Sequence, residues 1–351
     1  MKDGDSASGN DGARAPRREE RFLVTGALGC IGAWTVRTLV REQVAVVAFD
    51  QAGDRKRLRL IMSDEELERV TFVKGDITDG ESIGRALDEH GTTNLIHLAA
   101  LQVPFARANP PLGALVNVVG TVNVFEAAKR RAGRIGTVDY TSSIGMFDAA
   151  DADALDGLLH VDAAAHPRTH YGVYKLANEG NARVYWLDDG LSTIGVRPLT
   201  VYGAGRDQGM TSGPTKAILS AVVGRPYRIA FGGRTLLQYA EDVARTLIAA
   251  SRSPLTGAQV FNLGGSLAAM EDVVSAIELA VPEARGLVTF DPKPLPFPDA
   301  IDDAGTEVLG DVVVTPLDAA VRQTVDVFRR AIGRGDLDPE LHGLEAATAR
   351  A

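Results

Sequence analysis

Cysteine is almost absent from this sequence, because Cys30 is the only one in 351 residues. A single thiol cannot build a disulfide framework or a cysteine-based metal site, and we expect no metal. The chain has no excess of positive charge, since 37 basic against 46 acidic residues give a net charge of -9, which argues against a nucleic-acid partner. No apolar run approaches the roughly 20 residues that span a bilayer, so we expect no membrane and a cytoplasmic location.

The sequence is organised around a glycine-rich turn. Gly26, Gly29 and Gly32 follow a short apolar run that begins at Leu23, and residues 33–40 then show helical periodicity. Residues without side chains let the backbone approach a pyrophosphate, and the dipole and unpaired N–H groups of the next helix face its negative charge. The order of strand, turn and helix therefore predicts a dinucleotide-binding site.

The next strand carries an acidic residue that bears on which dinucleotide binds. The β-branched run 44–49 ends on Asp50, eighteen residues after Gly32. A carboxylate at this place can accept hydrogen bonds from both ribose hydroxyls of an adenosine and would repel a 2′-phosphate. Asp50 therefore predicts NAD, although three basic residues at 55–57 leave NADP open.

Residues with catalytic chemistry follow later in a chain where strands and helices alternate. This alternation predicts a parallel sheet with helices on both faces. Ser142 and Ser143 follow the strand pattern at 136–140, and Tyr171 and Lys175 are four residues apart, so the last two share one helix face. The lysine charge would lower the pKa of the tyrosine. Tyr171 could then take a proton from a sugar hydroxyl while a hydride passes to NAD.

The apolar run at 94–100 holds further candidates. His97 lies among apolar neighbours, which favours a hydrogen-bonded core histidine over a catalytic one. Ala99 and Ala100 would let the nicotinamide ribose lie close to the backbone. Gln102 follows at the carboxyl edge, where α/β sheets place their ligands, and is a candidate substrate contact.

The GxxGxxG spacing, Asp50 and the Tyr171–Lys175 pair resemble the extended branch of the short-chain dehydrogenase/reductase superfamily, which contains NAD-dependent epimerases and dehydratases. This resemblance, from about Arg21 to about Ile332, implies an α/β fold with a doubly wound parallel sheet (Rossmann fold) and a smaller C-terminal substrate-binding lobe. It implies catalytic roles for Ser143, Tyr171, Lys175 and Asn117. The cofactor contacts implied or predicted for NAD are Gly26, Gly29, Cys30, Ile31, Asp50, Asp76, Ile77, Leu98, Ala99, Ala100, Asn117, Tyr171, Lys175, Pro198 and Thr200.

The neighbours of Ser143 narrow the reaction that the resemblance implies. An Asp-Glu pair follows the catalytic residue in the family's 4,6-dehydratases, and its decarboxylases have a glutamate at the place of Ile144. Here Ser143 is followed by Ile144 and Gly145. Epimerisation through a transient 4-keto sugar or simple oxidation of a hydroxyl is therefore favoured. A non-catalytic, cofactor-bound regulatory protein is the alternative from another class.

The expected substrate is a sugar or a nucleotide sugar. Its candidate contacts are Gln102, Ser142, Ser143, Arg206 and Arg234. Sugar-nucleotide members of the family hold the diphosphate with two arginines, but Thr235 stands at the first of these places and the segment 294–299 lacks the second. Losing both would weaken pyrophosphate binding, so a free sugar acid or another small hydroxylated molecule is a rival substrate.

The chain is expected to form a homodimer. Two helices near 112–131 and 171–187 are apolar on nearly all sides and need a second packing partner. The resemblance also implies a dimer built from this pair. The expected domains are a disordered tail at 1–20, an NAD-binding domain at 21–203, a mainly substrate-binding lobe at 204–332 with segments returning to the sheet, and a tail at 333–351.

Overall fold

Seven parallel strands form the central sheet of the computed structural model, which describes residues 19–152, 156–310 and 312–338. From one edge to the other, the strands are β10 (Ala258–Asn262), β6 (Ser192–Arg197), β5 (Thr137–Thr141), β4 (Asn94–His97), β1 (Arg21–Thr25), β2 (Ala45–Asp50) and β3 (Val70–Lys74). The strand order reverses between β1 and β4, and this reversal opens a crevice at the carboxyl ends of the strands. The predicted doubly wound parallel sheet is confirmed.

Helices connect and cover the strands. They are α1 (Cys30–Arg41), α2 (Lys56–Ile61), α3 (Asp64–Glu68), α4 (Gly80–Glu89), α5 (Val103–Ala108), α6 (Pro110–Ala114), α7 (Gly120–Lys129), α8 (His170–Asp189), α9 (Gly213–Val222), α10 (Ala240–Arg252), α11 (Met270–Ala280) and α12 (Leu317–Arg334). A π-helical turn, Leu115–Val119, joins α6 to α7 in one continuous helix.

Both faces of the sheet are buried, because successive residues of a strand point to opposite sides. Phe22 and Val24 of β1 pack in one core with α1 and α10. Leu23, which lies between them, packs in a second core with α4, α7 and α8. The apolar runs in the sequence are thus explained by burial on both sides.

The chain after Gly203 contributes strands to two smaller sheets and, through β10, one strand to the central sheet. β7 (Thr200–Tyr202), β9 (Arg234–Tyr239) and β11 (Ser266–Ala269) form a three-stranded sheet, and β8 (Tyr227–Ile229) pairs with β12 (Val288–Phe290). β10 lies at the edge of the central sheet, where it pairs with β6 over five residue pairs.

The two predicted tails differ from the structure at their inner ends. Glu20, predicted to lie in the N-terminal tail, accepts a hydrogen bond of 2.8 Å from the Arg252 guanidinium. Gly333, predicted to begin the C-terminal tail, lies inside α12, which ends at Arg334. The remaining parts of the predicted tails, 1–18 and 339–351, lie outside the described residues.

His97 is a hydrogen-bonded core residue, as the sequence predicted. Its Nδ1 lies 2.7 Å from the Thr25 hydroxyl and its Nε2 lies 3.0 Å from the Thr121 hydroxyl. Burial and the nearby charge of Lys175 lower the pKa of His97 to about 3. The ring is therefore neutral at pH 7 and joins β1 to α7 through the sheet.

The continuous helix Pro110–Lys129 is long and apolar enough to cross a membrane by length and composition. This differs from the expectation that no run approaches that length. About 44% of its most apolar window is buried inside the fold, where Val124 and Phe125 pack against the sheet. A helix buried in a protein core can have the same length and apolar composition, so this single helix is weak evidence for a membrane.

Candidate active site

A cavity of about 580 Å³ lies in the crevice where the strand order reverses. Its walls come from the segments that follow β1, β2, β4 and β5 and from the first turns of α8. The predicted site residues that line it are Gly26, Gly29, Cys30, Ile31, Asp50, Asp76, Ile77, Leu98, Ala99, Ala100, Gln102, Ser142, Ser143, Tyr171, Lys175, Pro198 and Arg206. Residues distant in sequence thus meet at the edge where α/β sheets bind ligands.

The glycine turn is shaped for close backbone approach. Gly26 has φ +67°, and a Cβ there would lie 2.7 Å from the backbone nitrogen of Ala99. A Cβ on Gly32 would lie 2.2 Å from the carbonyl oxygen of Gly26. Because α1 begins at Cys30 with no side-chain cap, its first N–H groups are available to an anion in the cavity. These features fit a dinucleotide pyrophosphate.

Asp50 stands at the end of β2, and its carboxylate is held by backbone donors. One oxygen accepts from the Leu28 N–H at 2.9 Å, and the other accepts from the Ala52 N–H at 2.9 Å. Of the three basic residues that left NADP open, Arg55 does not line the cavity, whereas Lys56 and Arg57 line it and direct their charges to Asp207. The guanidinium of Arg55 lies 3.5 Å from the ring centroid of Phe72, and that of Arg57 binds Asp207. The site therefore fits the unphosphorylated ribose of NAD.

Tyr171, Ser143 and Lys175 come together at the other end of the cavity. The Ser143 side chain lies beside the Tyr171 phenol, whose pKa it lowers, and accepts from the Gly145 N–H at 2.9 Å. The Lys175 ammonium lies 5.5 Å from the centre of the Tyr171 ring and donates to the carbonyl oxygen of Thr141 at 2.6 Å. A phenol, an alcohol and an ammonium thus share one buried pocket.

The electrostatics of Tyr171 differ from the expectation. Burial raises the pKa of its phenol, and the two opposing influences are the neighbouring Ser143 side chain and the positive charge of Arg206. Lys175 was expected to be the cation that lowers this pKa, but its charge is directed to the Thr141 carbonyl. Burial also lowers the pKa of Lys175 to about 8, against the charge of Glu179.

Three predicted site residues do not line the cavity. Asn117 is buried and holds the backbone of Leu101, because its side-chain amide donates to the carbonyl and accepts from the N–H of that residue. The hydroxyl of Thr200 faces that of Thr235 at 2.9 Å, inside the three-stranded sheet. The guanidinium of Arg234 is largely exposed and pairs with Asp299 at 3.0 Å. The contacts predicted for these three residues stay predictions.

A family model described as the NAD dependent epimerase/dehydratase family matches residues 22–264. The chain belongs to this family. It is accordingly an NAD-dependent enzyme of the extended short-chain dehydrogenase/reductase type, and the cavity described above has the residues that such a cofactor needs.

The chain is similar along most of its length to two proteins whose names refer to UDP-sugars. The UDP-glucose 4-epimerase of Mycolicibacterium smegmatis is 31% identical over 88% of this chain and 98% of its own length. MoeE5, solved in complex with UDP-glucuronic acid and NAD, is 26% identical with a TM-score of 0.71, over 89% of this chain and 99% of its own.

The L-threonine dehydrogenase of Clostridium difficile shares this fold. Its structure has a TM-score of 0.76 and covers 92% of this chain and all of its own, at 21% identity. At that identity the likeness concerns the fold alone. The fold therefore does not distinguish a sugar from a small amino acid as the molecule acted on.

A buried acid that the sequence reasoning missed positions the site of this family member. Glu179 accepts from the Ser142 hydroxyl at 2.5 Å and from two nitrogens of Arg197, at 2.8 and 2.6 Å. Glu179 lies four residues after Lys175 and therefore on the same face of α8. This spacing was the feature of the sequence that could have identified it. No group of three or more potential metal-ligating residues occurs in the described ranges.

Proposed function

We propose that this enzyme is an epimerase that inverts a hydroxyl-bearing carbon of a nucleotide sugar, with Tyr171 as the acid and base. The observation that carries the proposal is the Tyr171 phenol with Ser143 beside it, inside a cavity whose other end has the acid that suits an NAD ribose. When bound, NAD accepts a hydride from carbon and returns it. Tyr171 takes the hydroxyl proton during oxidation and gives it back during reduction, while Ser143 holds the same oxygen.

The absence of an acid beside Ser143 supports epimerisation over elimination. Ile144 follows Ser143 and is completely buried. It offers no proton to a leaving group on the β-carbon of a 4-keto sugar, so we expect that intermediate to be turned in the site and reduced again. This interpretation also agrees with the Mycolicibacterium relative, which is a UDP-glucose 4-epimerase.

Substrate contacts are proposed for Gln102, Ser142, Ser143 and Arg206. Among the described residues, the Nε of Arg206 and the Oε1 of Gln102 are buried and lack a hydrogen-bond partner. A buried donor and a buried acceptor without partners carry a free-energy cost that a bound polar ligand would remove. Arg206 is the proposed anion contact and Gln102 the proposed hydroxyl contact.

A second substrate class has a specific observation in its favour. Arg234, the residue closest to a family diphosphate position, faces away from the cavity and pairs with Asp299. With Arg206 as the proposed anion contact, a sugar acid or another small hydroxylated anion would need only one such group. In that case the enzyme would oxidise its substrate and release NADH.

The experiment that separates these readings follows two products at once. Purified enzyme with NAD is given UDP-glucose, UDP-glucuronate and free sugar acids, while epimers are counted by NMR and NADH by absorbance at 340 nm. We expect isomer exchange of a nucleotide sugar without net NADH. Steady NADH formation with a free sugar acid would replace the epimerase by a dehydrogenase, and a non-catalytic regulator would give neither signal.

We also propose that two copies of this chain form a homodimer through α6, α7 and α8. Two neighbouring helices expose apolar side chains here. On the continuous helix Pro110–Lys129 these are Leu115 and Val119, and on α8 they are Val184 and Leu187. α7 and α8 pack side by side. One apolar surface built from two neighbouring helices suits an isologous contact between identical copies. A second copy is therefore the proposed occupant of this face.

Light scattering after gel filtration tests the homodimer. We expect twice the 37.2 kDa chain mass for the wild type and a monomer for Leu187→Glu, because this change buries a charge in the contact. The control is Leu279→Glu on α11, an equally exposed leucine outside the surface, 69% against 67%. A monomeric wild type would disprove the dimer.

A further inference from the structure

Two walls of the active-site cavity are tied together by an ion pair that the sequence reasoning did not assign. Arg57 lies in α2, after β2, and Asp207 lies in the loop after β7. The Nε and Nη2 of Arg57 donate to one oxygen of Asp207 at 3.1 and 2.7 Å. The third contact, from Nη1 to the carbonyl oxygen of Leu28 at 3.1 Å, anchors the pair on the glycine turn.

The position of this pair in the sheet order places it across the crevice. β2 lies on one side of the β1–β4 reversal, whereas β6, which leads into β7, lies on the other. Arg57 and Asp207 both line the cavity together with Cys30, and both charges act on the Cys30 thiol at the start of α1. The pair therefore bridges the cavity beside the helix terminus that fits the pyrophosphate.

The ion pair is well protected from water. Only 18% of the Arg57 side chain and 19% of the Asp207 side chain are exposed, and the Lys56 ammonium lies 3.9 Å from the second oxygen of Asp207. Two charge-assisted hydrogen bonds in such surroundings are stronger than an exposed surface pair. The closed arrangement is thus the stable one in this structure.

The loop that carries Asp207 has backbone joints on both sides of it. Gly205 has φ +91° and Gly209 has φ +96°, conformations that other residues rarely adopt. Before them, the Ala204 carbonyl is fixed to α1 by the Trp34 indole N–H at 2.9 Å. Gly205 and Gly209 would let the residues between them, including Asp207, move as a unit while Ala204 stays fixed to α1. A hinge needs only a few residues that absorb a change in φ and ψ.

We propose that the Arg57–Asp207 pair is a clasp that must open for NAD to enter or leave and that retains NAD when it is closed. The clasp rests on the proposed function in one respect, since an epimerase must return the hydride from the same cofactor that took it. Arg57 and Asp207 act here by controlling access, and they take no part in the proton or hydride transfers.

Stopped-flow measurement of NAD association and dissociation tests the clasp without any sugar substrate. For Asp207→Asn we expect both rate constants to rise about tenfold, with little change in the dissociation constant, because a gate lowers one barrier in both directions. The charge-exchanged double variant, Arg57→Asp with Asp207→Arg, should bring both rate constants back toward the wild type. Asp299→Asn, which breaks the Arg234–Asp299 pair outside the cavity, is the matched control and should leave both rate constants unchanged.

Other outcomes of this experiment would overturn the clasp. If Asp207→Asn only removed a negative charge near the pyrophosphate and opened no gate, the association rate constant would rise and the dissociation rate constant would fall. That result would contradict the clasp. Unchanged rates in Asp207→Asn would also contradict the proposal. Hydrogen exchange of residues 204–212 without NAD supplies a second readout, since an open clasp should speed it in Asp207→Asn but not in Asp299→Asn. Because no sugar is present, these results do not depend on whether the enzyme is an epimerase.

Discussion

Tyr171→Phe is expected to lower kcat by about 10²–10⁴-fold while NAD still binds. The variant keeps the aromatic ring but removes the hydroxyl that lies beside Ser143 at the cavity. Without that group nothing takes the proton from the sugar hydroxyl at the proposed place. Turnover of the substrate found in the isomer-exchange assay and calorimetric titration with NAD measure the two effects separately.

Tyr174→Phe is the matched control for this prediction. Tyr174 lies on the same helix and is buried, but its hydroxyl donates to the carbonyl oxygen of Pro110 at 2.8 Å and does not line the cavity. We expect kcat to stay within about threefold of the wild type in this variant, in line with the loss of one neutral hydrogen bond. If Tyr171→Phe were as active as the wild type, Tyr171 would not be the acid and base, and its role in the site would be structural.

Gly32→Ala is expected to have the largest effect on folding and cofactor binding together. The added Cβ would lie 2.2 Å from the Gly26 carbonyl oxygen and 2.7 Å from the Ala27 Cα, both of which belong to the backbone. Because those atoms cannot rotate away, α1 must move outward from β1. We expect a loss of about 3 kcal/mol in the free energy of unfolding and at least tenfold weaker NAD binding.

Gly333→Ala is the control for an alanine in place of a helical glycine. Nothing lies within 4 Å of a Cβ at Gly333, which stands in α12 far from the glycine turn in sequence. We expect the free energy of unfolding of this variant to rise by up to about 1 kcal/mol, since alanine has a higher helix propensity than glycine. Chemical denaturation with and without NAD checks both variants, and equal NAD affinity in Gly32→Ala and wild type would contradict the close-packing argument.

Local patterns were enough to predict the cofactor end of the site. The glycine spacing, Asp50 at a strand end and the four-residue interval between Tyr171 and Lys175 are each contained in one short segment. Strand and helix periodicity then place these segments at a common sheet edge. The cavity gathers all of them, as the sequence suggested.

Contacts between distant segments could not be predicted in this way. Arg57 and Asp207 are 150 residues apart in the chain, and no local pattern joins them. The influence of Arg206 on the pKa of Tyr171 likewise depends on how the loop after β7 folds back. Such pairings require the three-dimensional arrangement of the loops, which propensity and periodicity do not describe.

Strand alternation explains why two of the predicted site residues, Arg234 and Thr200, do not line the cavity. Arg234 precedes the family position by one residue, and in a strand a shift of one residue turns a side chain to the opposite face. Thr235 is accordingly buried while Arg234 faces outward to Asp299. Thr200 faces the same buried side, whereas its neighbours Leu199 and Val201 line the cavity.

The return of β10 to the edge of the central sheet has a consequence for biosynthesis. β6 ends at Arg197, but the strand that shields its outer edge is not made until residue 262 leaves the ribosome. A nascent chain that stops soon after β7 would thus expose the backbone donors and acceptors of β6, which invite pairing with other chains. We therefore expect the cofactor-binding half not to mature ahead of the rest, and fragments cut near Gly203 to aggregate.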